Sequence, residues 1–228
     1  MHSNKQNLQV LFEDNHIIIV NKRSRDITQG DKTGDKPLSD VVKEYIKEKY
    51  NKVGNVFLGV VHRLDRPTSG VIIFARTSKA LERLNKMLRD KEIHKTYWAV
   101  VKNHPKKEKA TLINYLKKNP KNNKSSVFQK EIDGSKKAIL HYTILKKLDN
   151  YSLLEIDLET GRHHQIRAQL SNIGFPIKGD LKYGFNRSNK DGSIHLHARK
   201  IEFIHPVAKE KITVTAPTPN EVIWNACK

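Results

Sequence analysis

The chain opens with two short apolar runs, Leu8-Gln-Val-Leu-Phe12 and Ile17-Ile-Ile-Val20, split by the turn-like Glu13-Asp14-Asn15. This pattern predicts a pair of strands. After a polar, glycine-containing loop, Pro37-Leu-Ser-Asp-Val-Val-Lys-Glu-Tyr-Ile-Lys47 spaces Leu38, Val41, Val42, Tyr45 and Ile46 at helical intervals, and Pro37 suits a first turn. Leu58-Gly-Val-Val61 and Val71-Ile-Ile-Phe-Ala75 read as strands on either side of the polar stretch 62–70. Thr77-Ser78 can cap a helix carrying Leu81, Leu84 and Leu88 on one face, and Tyr97-Trp-Ala-Val-Val101 reads as another strand. Residues 102–109 and 117–124, rich in Lys, Asn and Pro, have loop composition. Strand patterns return at 138–147 and 151–158; in the second, Leu154, Ile156 and Leu158 alternate with Leu153, Glu155 and Asp157, which suits an antiparallel sheet with one partly wet face. Arg162 to Asn172 has helix character with Gly174 as a terminator, and Ile194–Ile204 and Lys211–Thr215 close the chain as strands.

Strands outnumber helices and do not alternate regularly with them, and no repeat, heptad or long flexible linker interrupts the pattern. The reading is an α+β fold with a mixed, mainly antiparallel central sheet and flanking helices, one domain over 1–228. A chain of 228 residues is long enough to bury a sizeable core.

Charge sharpens the picture. Lys and Arg number 43 against 24 Asp and Glu, a formal charge of +19 spread from end to end, so a polyanionic partner is expected. The N-terminus MHSNKQNLQV has no apolar signal region, and the longest apolar run, Val71–Ala75, is too short to cross a bilayer. Nucleic acid is therefore favoured over membrane. The sole cysteine, Cys227, rules out an intramolecular disulfide and cysteine-based zinc sites, which fits a cytoplasmic setting.

One stretch looks chemical. His62-Arg63-Leu64-Asp65-Arg66-Pro67-Thr68-Ser69-Gly70 puts a carboxylate between two arginines in an already basic chain, where a surface ion pair would contribute at most about 1 kcal/mol. Carboxylates serve as covalent nucleophiles when kept ionised and when the attacked carbon develops cationic character, as a glycosidic carbon does; a nearby arginine favours the charged form. Thr160-Gly-Arg-His-His-Gln-Ile-Arg167 offers such an arginine at a helix start, although by itself it reads equally as a phosphate-binding turn. Taken alone, Asp65 reads as a turn-capping loop acid and Tyr97 as a core aromatic. His163-His164 and His195-x-His197 invite a metal reading, but no paired carboxylate ligands accompany them, and sheet-face or RNA-contacting roles fit better. Asp180 reads as a structural turn residue, and Thr68-Ser69-Gly70 as loop hydrogen bonding that shapes the Asp65 turn.

The motifs together resemble the RluA family of pseudouridine synthases, which isomerise uridine in RNA to its C-glycoside. HRLDRPTSGVIIFARTSKA is similar to the family signature; Asp14-Asn-His-Ile-Ile-Ile-Val-Asn-Lys22 resembles its first strand pair and Lys95-Thr-Tyr-Trp-Ala99 its lysine-x-tyrosine-x-alanine segment. Thr160 to Leu170, Gly174-Phe-Pro-Ile-Lys-Gly-Asp180, Tyr183-Gly184, Leu196-His-Ala198 and Phe203-Ile-His-Pro206 follow in the family's order. The resemblance implies a pseudouridine synthase-like catalytic domain acting on a flipped-out uridine of structured rRNA or tRNA, with no metal or organic cofactor and no membrane partner, as a monomer. It implies Asp65 as nucleophile, Tyr97 as the pocket tyrosine that packs on the base, and Arg167 as the cation that pairs with Asp65 and keeps it charged. The implied RNA and substrate contacts are His62, Arg63, Arg162, Gln165, Ile166 and Lys182, with Arg63 at the flipped nucleotide and Ile166 on the apolar wall.

The chain departs from the family pattern in two places. Where the first loop usually runs lysine-proline-x-glycine, this chain has Lys22-Arg23-Ser24-Arg25, so the loop is expected to be more mobile or to contact a different RNA. His163 stands where threonine is common. The small N-terminal RNA-binding module of many members is expected to be absent, leaving recognition to the catalytic domain and its lysine-rich loops. The alternative from another class is a non-catalytic RNA-binding or ribosome-assembly factor on the same scaffold.

Overall fold

A computed structural model of the chain describes residues 2–31 and 33–227. In chain order its elements begin β1 (Val10–Glu13), β2 (Ile17–Lys22), α1 (Leu38–Lys49), β3 (Gly59–Val60), β4 (Ser69–Ala75), α2 (Ser78–Arg89), β5 (His94–Lys102) and β6 (Lys109–Asn119). They continue with β7 (Lys124–Phe128), β8 (Lys136–Lys147), β9 (Tyr151–Leu158), α3 (Gln165–Asn172), a 3-10 turn at Leu181–Tyr183, β10 (Leu196–Ile204), β11 (Lys211–Thr215) and α4 (Val222–Ala226). The chain divides into two compact units: the first holds residues up to 95 and 197–219, the second 96–196 and 220 onward.

In the first unit, β2 and β4 pair antiparallel from Ile17↔Ala75 to Lys22↔Gly70, and every residue of both strands is buried. The period of two explains how a continuous apolar run satisfies two faces. Ile18, Val20, Ile72 and Phe74 pack with Leu38, Val41, Val42 and Ile46 of α1. Their neighbours Ile17, Ile19, Val71 and Ile73 pack with Ala80, Leu84 and Met87 of α2. Pro37 sits at the N-cap of α1, and the Thr77 hydroxyl accepts the Ala80 N–H at 3.2 Å to cap α2. β1 joins β2 and β11 joins β10 antiparallel, whereas β10 runs parallel to β4.

The second unit is an antiparallel sheet in the order β5-β9-β8-β6-β7. Ala168 of α3 packs with Leu116, Ala138 and Tyr183. The Gln169 amide, fully buried, donates to Asn114 Oδ1 (2.8 Å) and to the Leu112 carbonyl (3.2 Å), so α3 is hydrogen-bonded to the sheet as well as packed on it. Trp224 and Cys227, at and just beyond α4, pack on Val100 and Leu153.

The architecture is the expected α+β arrangement of a mixed, mainly antiparallel sheet with few helices. Two local expectations are corrected. The helix expected from Arg162 begins at Gln165, because Gln165 Oε1 turns back to accept the Arg162 N–H (3.0 Å) and the Thr160 hydroxyl (2.8 Å), holding 160–164 as a turn. In the lysine-rich stretch 117–124, residues 117–119 extend β6 and Lys124 opens β7, paired Lys117↔Ser126 to Asn119↔Lys124, so the loop shrinks to 120–123. Backbone pairing at a solvated hairpin tolerates lysine on both faces, which composition reads as loop.

Candidate active site

Asp65 lies in the loop between β3 and β4, half-buried, in the first unit. Physical ties converge on this loop from several elements. The Asp65 carbonyl accepts the Thr68 N–H at 3.0 Å, closing a turn over Arg66-Pro67. Leu64 anchors the near side: its side chain is buried, and its N–H donates to the Thr28 hydroxyl at 3.3 Å.

The strongest tie is Lys22, the last residue of β2, whose side chain is 0% exposed. Its ammonium donates to the carbonyls of Arg23 (3.0 Å), Arg66 (3.2 Å) and Thr68 (2.7 Å). Three N–H donors thus meet three carbonyls, two of them on either side of Pro67. Burial pushes the Lys22 pKa down to about 7, against the opposing pull of Asp26 and then Asp65.

The far side of the loop is fixed by Thr68-Ser69-Gly70. The Ser69 hydroxyl and His197 Nδ1 lie 2.9 Å apart, and His197 Nε2 faces the Ala216 carbonyl at 3.3 Å. Since Nε2 must donate to that carbonyl, Nδ1 accepts from Ser69 and the ring is neutral; burial, the largest effect, lowers its pKa to about 4. Gly70 has φ +117, and a Cβ there would meet the Ala198 carbonyl oxygen at 2.3 Å, so the close parallel approach of β4 and β10 requires glycine. The expectation that this tripeptide shapes the Asp65 turn is thereby given its partners.

His62 and Arg63 share the loop. His62 Nε2 accepts the Ile73 N–H at 3.1 Å, and burial, with the charge of Lys95 second, pushes its pKa down to about 3, so it is a neutral acceptor with that nitrogen already engaged. Arg63 is exposed. Arg66 pairs with Asp35 and donates through Nε to the Arg25 carbonyl at 3.3 Å.

Tyr97, Arg162, Gln165, Ile166, Arg167 and Lys182 belong to the second unit. Tyr97 is buried on β5, opposite Ile156 of β9. Arg167 and Asp180 are both buried and form a two-pronged ion pair: Nε to Oδ2 at 2.7 Å and Nη2 to Oδ1 at 2.9 Å. The Arg167 guanidinium also lies 5.1 Å from the centre of the Tyr183 ring. Tyr183 in turn accepts the Ser125 N–H at 2.7 Å and faces His164 Nδ1 at 3.0 Å. His164 precedes α3 in a left-handed conformation, φ 52, and its ring stacks on that of His163 with centroids 3.8 Å apart.

The remaining expected contacts divide by environment. Gln165 is buried and spends its amide on the Ile139 carbonyl (3.0 Å), which makes it a scaffold of the 160–164 turn. Ile166 is buried. Arg162 is exposed, its Nε on the Lys137 carbonyl at 2.9 Å, and Lys182 is exposed, reaching the carbonyls of Asn122 and Asn123 at 3.4 and 3.3 Å.

Sequence reasoning missed Lys22 and undervalued Asp180. Lys22 ends an all-buried strand, and a lysine finishing so apolar a run is a signal that its charge is spent internally. Asp180 sits in a Gly-Asp turn with no local sign that a buried arginine 13 positions earlier claims it.

A model of the RNA pseudouridylate synthase family matches residues 16–172. The chain is 33% identical over 216 residues to an RNA pseudouridine synthase of Synechocystis, covering 93% of this chain and 66% of that protein. It is 37% identical over 221 residues to a ribosomal large subunit pseudouridine synthase C of Buchnera aphidicola, covering 92% of this chain and 67% of that protein. It thus spans about two thirds of the length of these relatives. The human RNA pseudouridylate synthase domain containing 4 protein shares the fold, with a TM-score of 0.78 at 21% identity over 96% of this chain and 91% of that one. The family match over residues 16–172, with relatives 33% and 37% identical over more than nine-tenths of the chain, places this protein in the RNA pseudouridylate synthase family, isomerases acting on uridine in RNA.

Proposed function

We propose that this chain converts uridine in ribosomal RNA to pseudouridine, with Asp65 as the nucleophile. The observation that carries the proposal is the Asp65 loop. It is clamped by Lys22, Thr28 and the Ser69–His197 pair, so the aspartate backbone is held in one geometry, as a nucleophile requires. The similarity to ribosomal large subunit pseudouridine synthases C and D of bacteria supports ribosomal RNA as the substrate class. The surplus of 43 basic over 24 acidic residues suits a phosphate-rich partner.

In this reading the target uridine leaves its stack and enters the enzyme. The Asp65 carboxylate bonds to it, the bond between N1 and C1′ breaks, the uracil turns, and C5 bonds to C1′ as the bond to the carboxylate breaks and Asp65 is released. The C5 proton leaves and N1 gains one, so the product is an isomer and nothing is consumed. Tyr97, buried on a rigid strand, packs on the base. The role of Arg167 is electrostatic, toward the nucleophile, and the fork from Asp180 supports it by fixing the guanidinium in orientation. Arg63, exposed at the loop, takes the position vacated by the flipped nucleotide.

A carbodiimide-based pseudouridine map of ribosomal and transfer RNA, from cells with and without the protein, tests the proposal. Loss of one or more ribosomal sites with the gene is the expected result. An unchanged map would reject it in favour of a non-catalytic binding role.

A further inference from the structure

Arg25 occupies a backbone conformation that a side chain rarely adopts, with φ 79. Lys91 and Lys209 also have positive φ, the first just beyond α2 and the second in the β10–β11 turn, so the conformation alone decides nothing. The position does. The Arg25 N–H donates to the Arg66 carbonyl at 2.7 Å, and Arg66 Nε returns a bond to the Arg25 carbonyl at 3.3 Å. Arg25 is therefore pinned by its backbone to the residue next to Asp65. The Arg66 carbonyl that receives it is also one of the three held by Lys22.

Four arginines stand on the two loops 23–25 and 63–66, and their side chains are differently employed. Arg66 is paired with Asp35, and Arg23 donates to the Asn7 carbonyl at 3.2 Å. The side chains of Arg25 and Arg63 are exposed and make no hydrogen bond or ion pair among the described residues. In a position whose backbone favours glycine, where the family pattern has glycine, this chain carries an exposed guanidinium fastened to the nucleophile's loop. Strain retained at such a place points to use of the side chain.

We propose that Arg25 is an RNA-backbone anchor, a phosphate contact that strengthens the hold on the substrate strand. The loop 23–25, through the paired amide and carbonyl of Arg25, presents a planar cation beside the Asp65 turn, and a guanidinium there binds two phosphate oxygens at once. Such a contact holds the strand flanking the target uridine without touching the reacting atoms, so Arg25 is a positioning residue. The inference rests on the proposed function above.

The test compares wild type with Arg25→Gly and Arg25→Lys on an unmodified large-subunit ribosomal RNA transcript. Readouts are tritium release from 5-tritiated uridine, RNA affinity across a salt series, and thermal midpoint. Arg25→Gly is expected to lose about tenfold in affinity and raise KM by a similar factor with kcat within about twofold. Its plot of log affinity against log salt should be shallower by about 0.7 to 0.9, one phosphate contact. Its thermal midpoint should equal or exceed that of wild type, because glycine fits φ 79 without strain, which separates lost contact from lost fold. Arg25→Lys should keep the wild-type salt slope. An Arg25→Gly protein with unchanged KM and salt slope would overturn the proposal. Wild type that binds RNA yet releases no tritium would instead overturn the activity, and the salt slopes would still judge Arg25.

Discussion

Replacing Lys22 with methionine tests the physical link between the fold and the candidate nucleophile. Methionine matches the length and bulk of the lysine stem but supplies no donor, so the carbonyls of Arg23 and Thr68 lose the lysine's bonds and that of Arg66 keeps only the Arg25 N–H. At about 1 kcal/mol or somewhat more for each, the loss at pH 7 is about 3 kcal/mol. The pH dependence is the sharper signature. The Lys22 pKa falls from 10.5 to about 7 on folding, which corresponds to about 5 kcal/mol of disfavoured ionisation at a side chain with no solvent exposure. Between those two values the unfolded chain holds a proton that the folded chain has released. Stability therefore rises with pH across that window, by up to about 1.4 kcal/mol per unit. From pH 7 to pH 9 wild type should gain about 2 kcal/mol from this group, and Lys22→Met should not. Guanidinium denaturation of both proteins at pH 7, 8 and 9 isolates the contribution, because every other titrating group cancels in the difference. The stability gap should widen from about 3 to about 5 kcal/mol. A gap that stays constant or narrows with pH would show that burial does not lower the Lys22 pKa, and a gap near zero at pH 7 would show that the description of the loop clamp is wrong.

Two further substitutions probe the supports of the site. Asp180→Ala leaves the buried Arg167 guanidinium without its carboxylate, and a loss of about 3 to 5 kcal/mol is expected, seen as a fall of about 6 to 20 °C in thermal midpoint; a fall under 2 °C would show that the pair is not structurally important. Gly70→Ala sets a Cβ against the Ala198 backbone at 2.3 Å in a left-handed conformation, so the β4–β10 junction must shift. Destabilisation of about 3 kcal/mol or more, with loss of activity, is expected in denaturant titration and in tritium release, and a protein of wild-type stability would contradict the close approach.

Much of this molecule is legible in its hydrophobic pattern, and the parts that are not share a cause. The runs Ile17–Val20 and Val71–Ala75 announce their strands because both faces are covered, by α1 and α2, so no polar residue interrupts them. The helix at 38–49 follows from the spacing of Leu38, Val41, Val42 and Ile46, all of which are buried. The strands β6 and β7 went unseen because their ends are lysines and asparagines, which a solvated hairpin accepts and a composition window reads as loop. The start of α3 is set by Gln165 bonding backward to Thr160 and Arg162, an event of side-chain geometry that periodicity does not record. The candidate site divides the same way. Asp65 stands out as an acid among arginines, whereas Lys22 and Asp180 do their work with partners 44 to 46 and 13 positions away. A pairing of that range is written in the fold and leaves only its charged ends visible in the chain. The substitution of lysine-arginine-serine-arginine for the usual first loop was expected to loosen it or redirect it. The structure ties the loop through Lys22 and Arg25 to the Arg66 carbonyl.

If the Asp65 carboxylate performs the chemistry, Asp65→Asn is the smallest change that removes it. The measurement is single-turnover tritium release from 5-tritiated ribosomal RNA by wild type and Asp65→Asn, with RNA affinity determined in parallel. No detectable release by the asparagine variant is expected, together with RNA binding within a few-fold of wild type. Release by Asp65→Asn at a rate near that of wild type would contradict that role of the carboxylate.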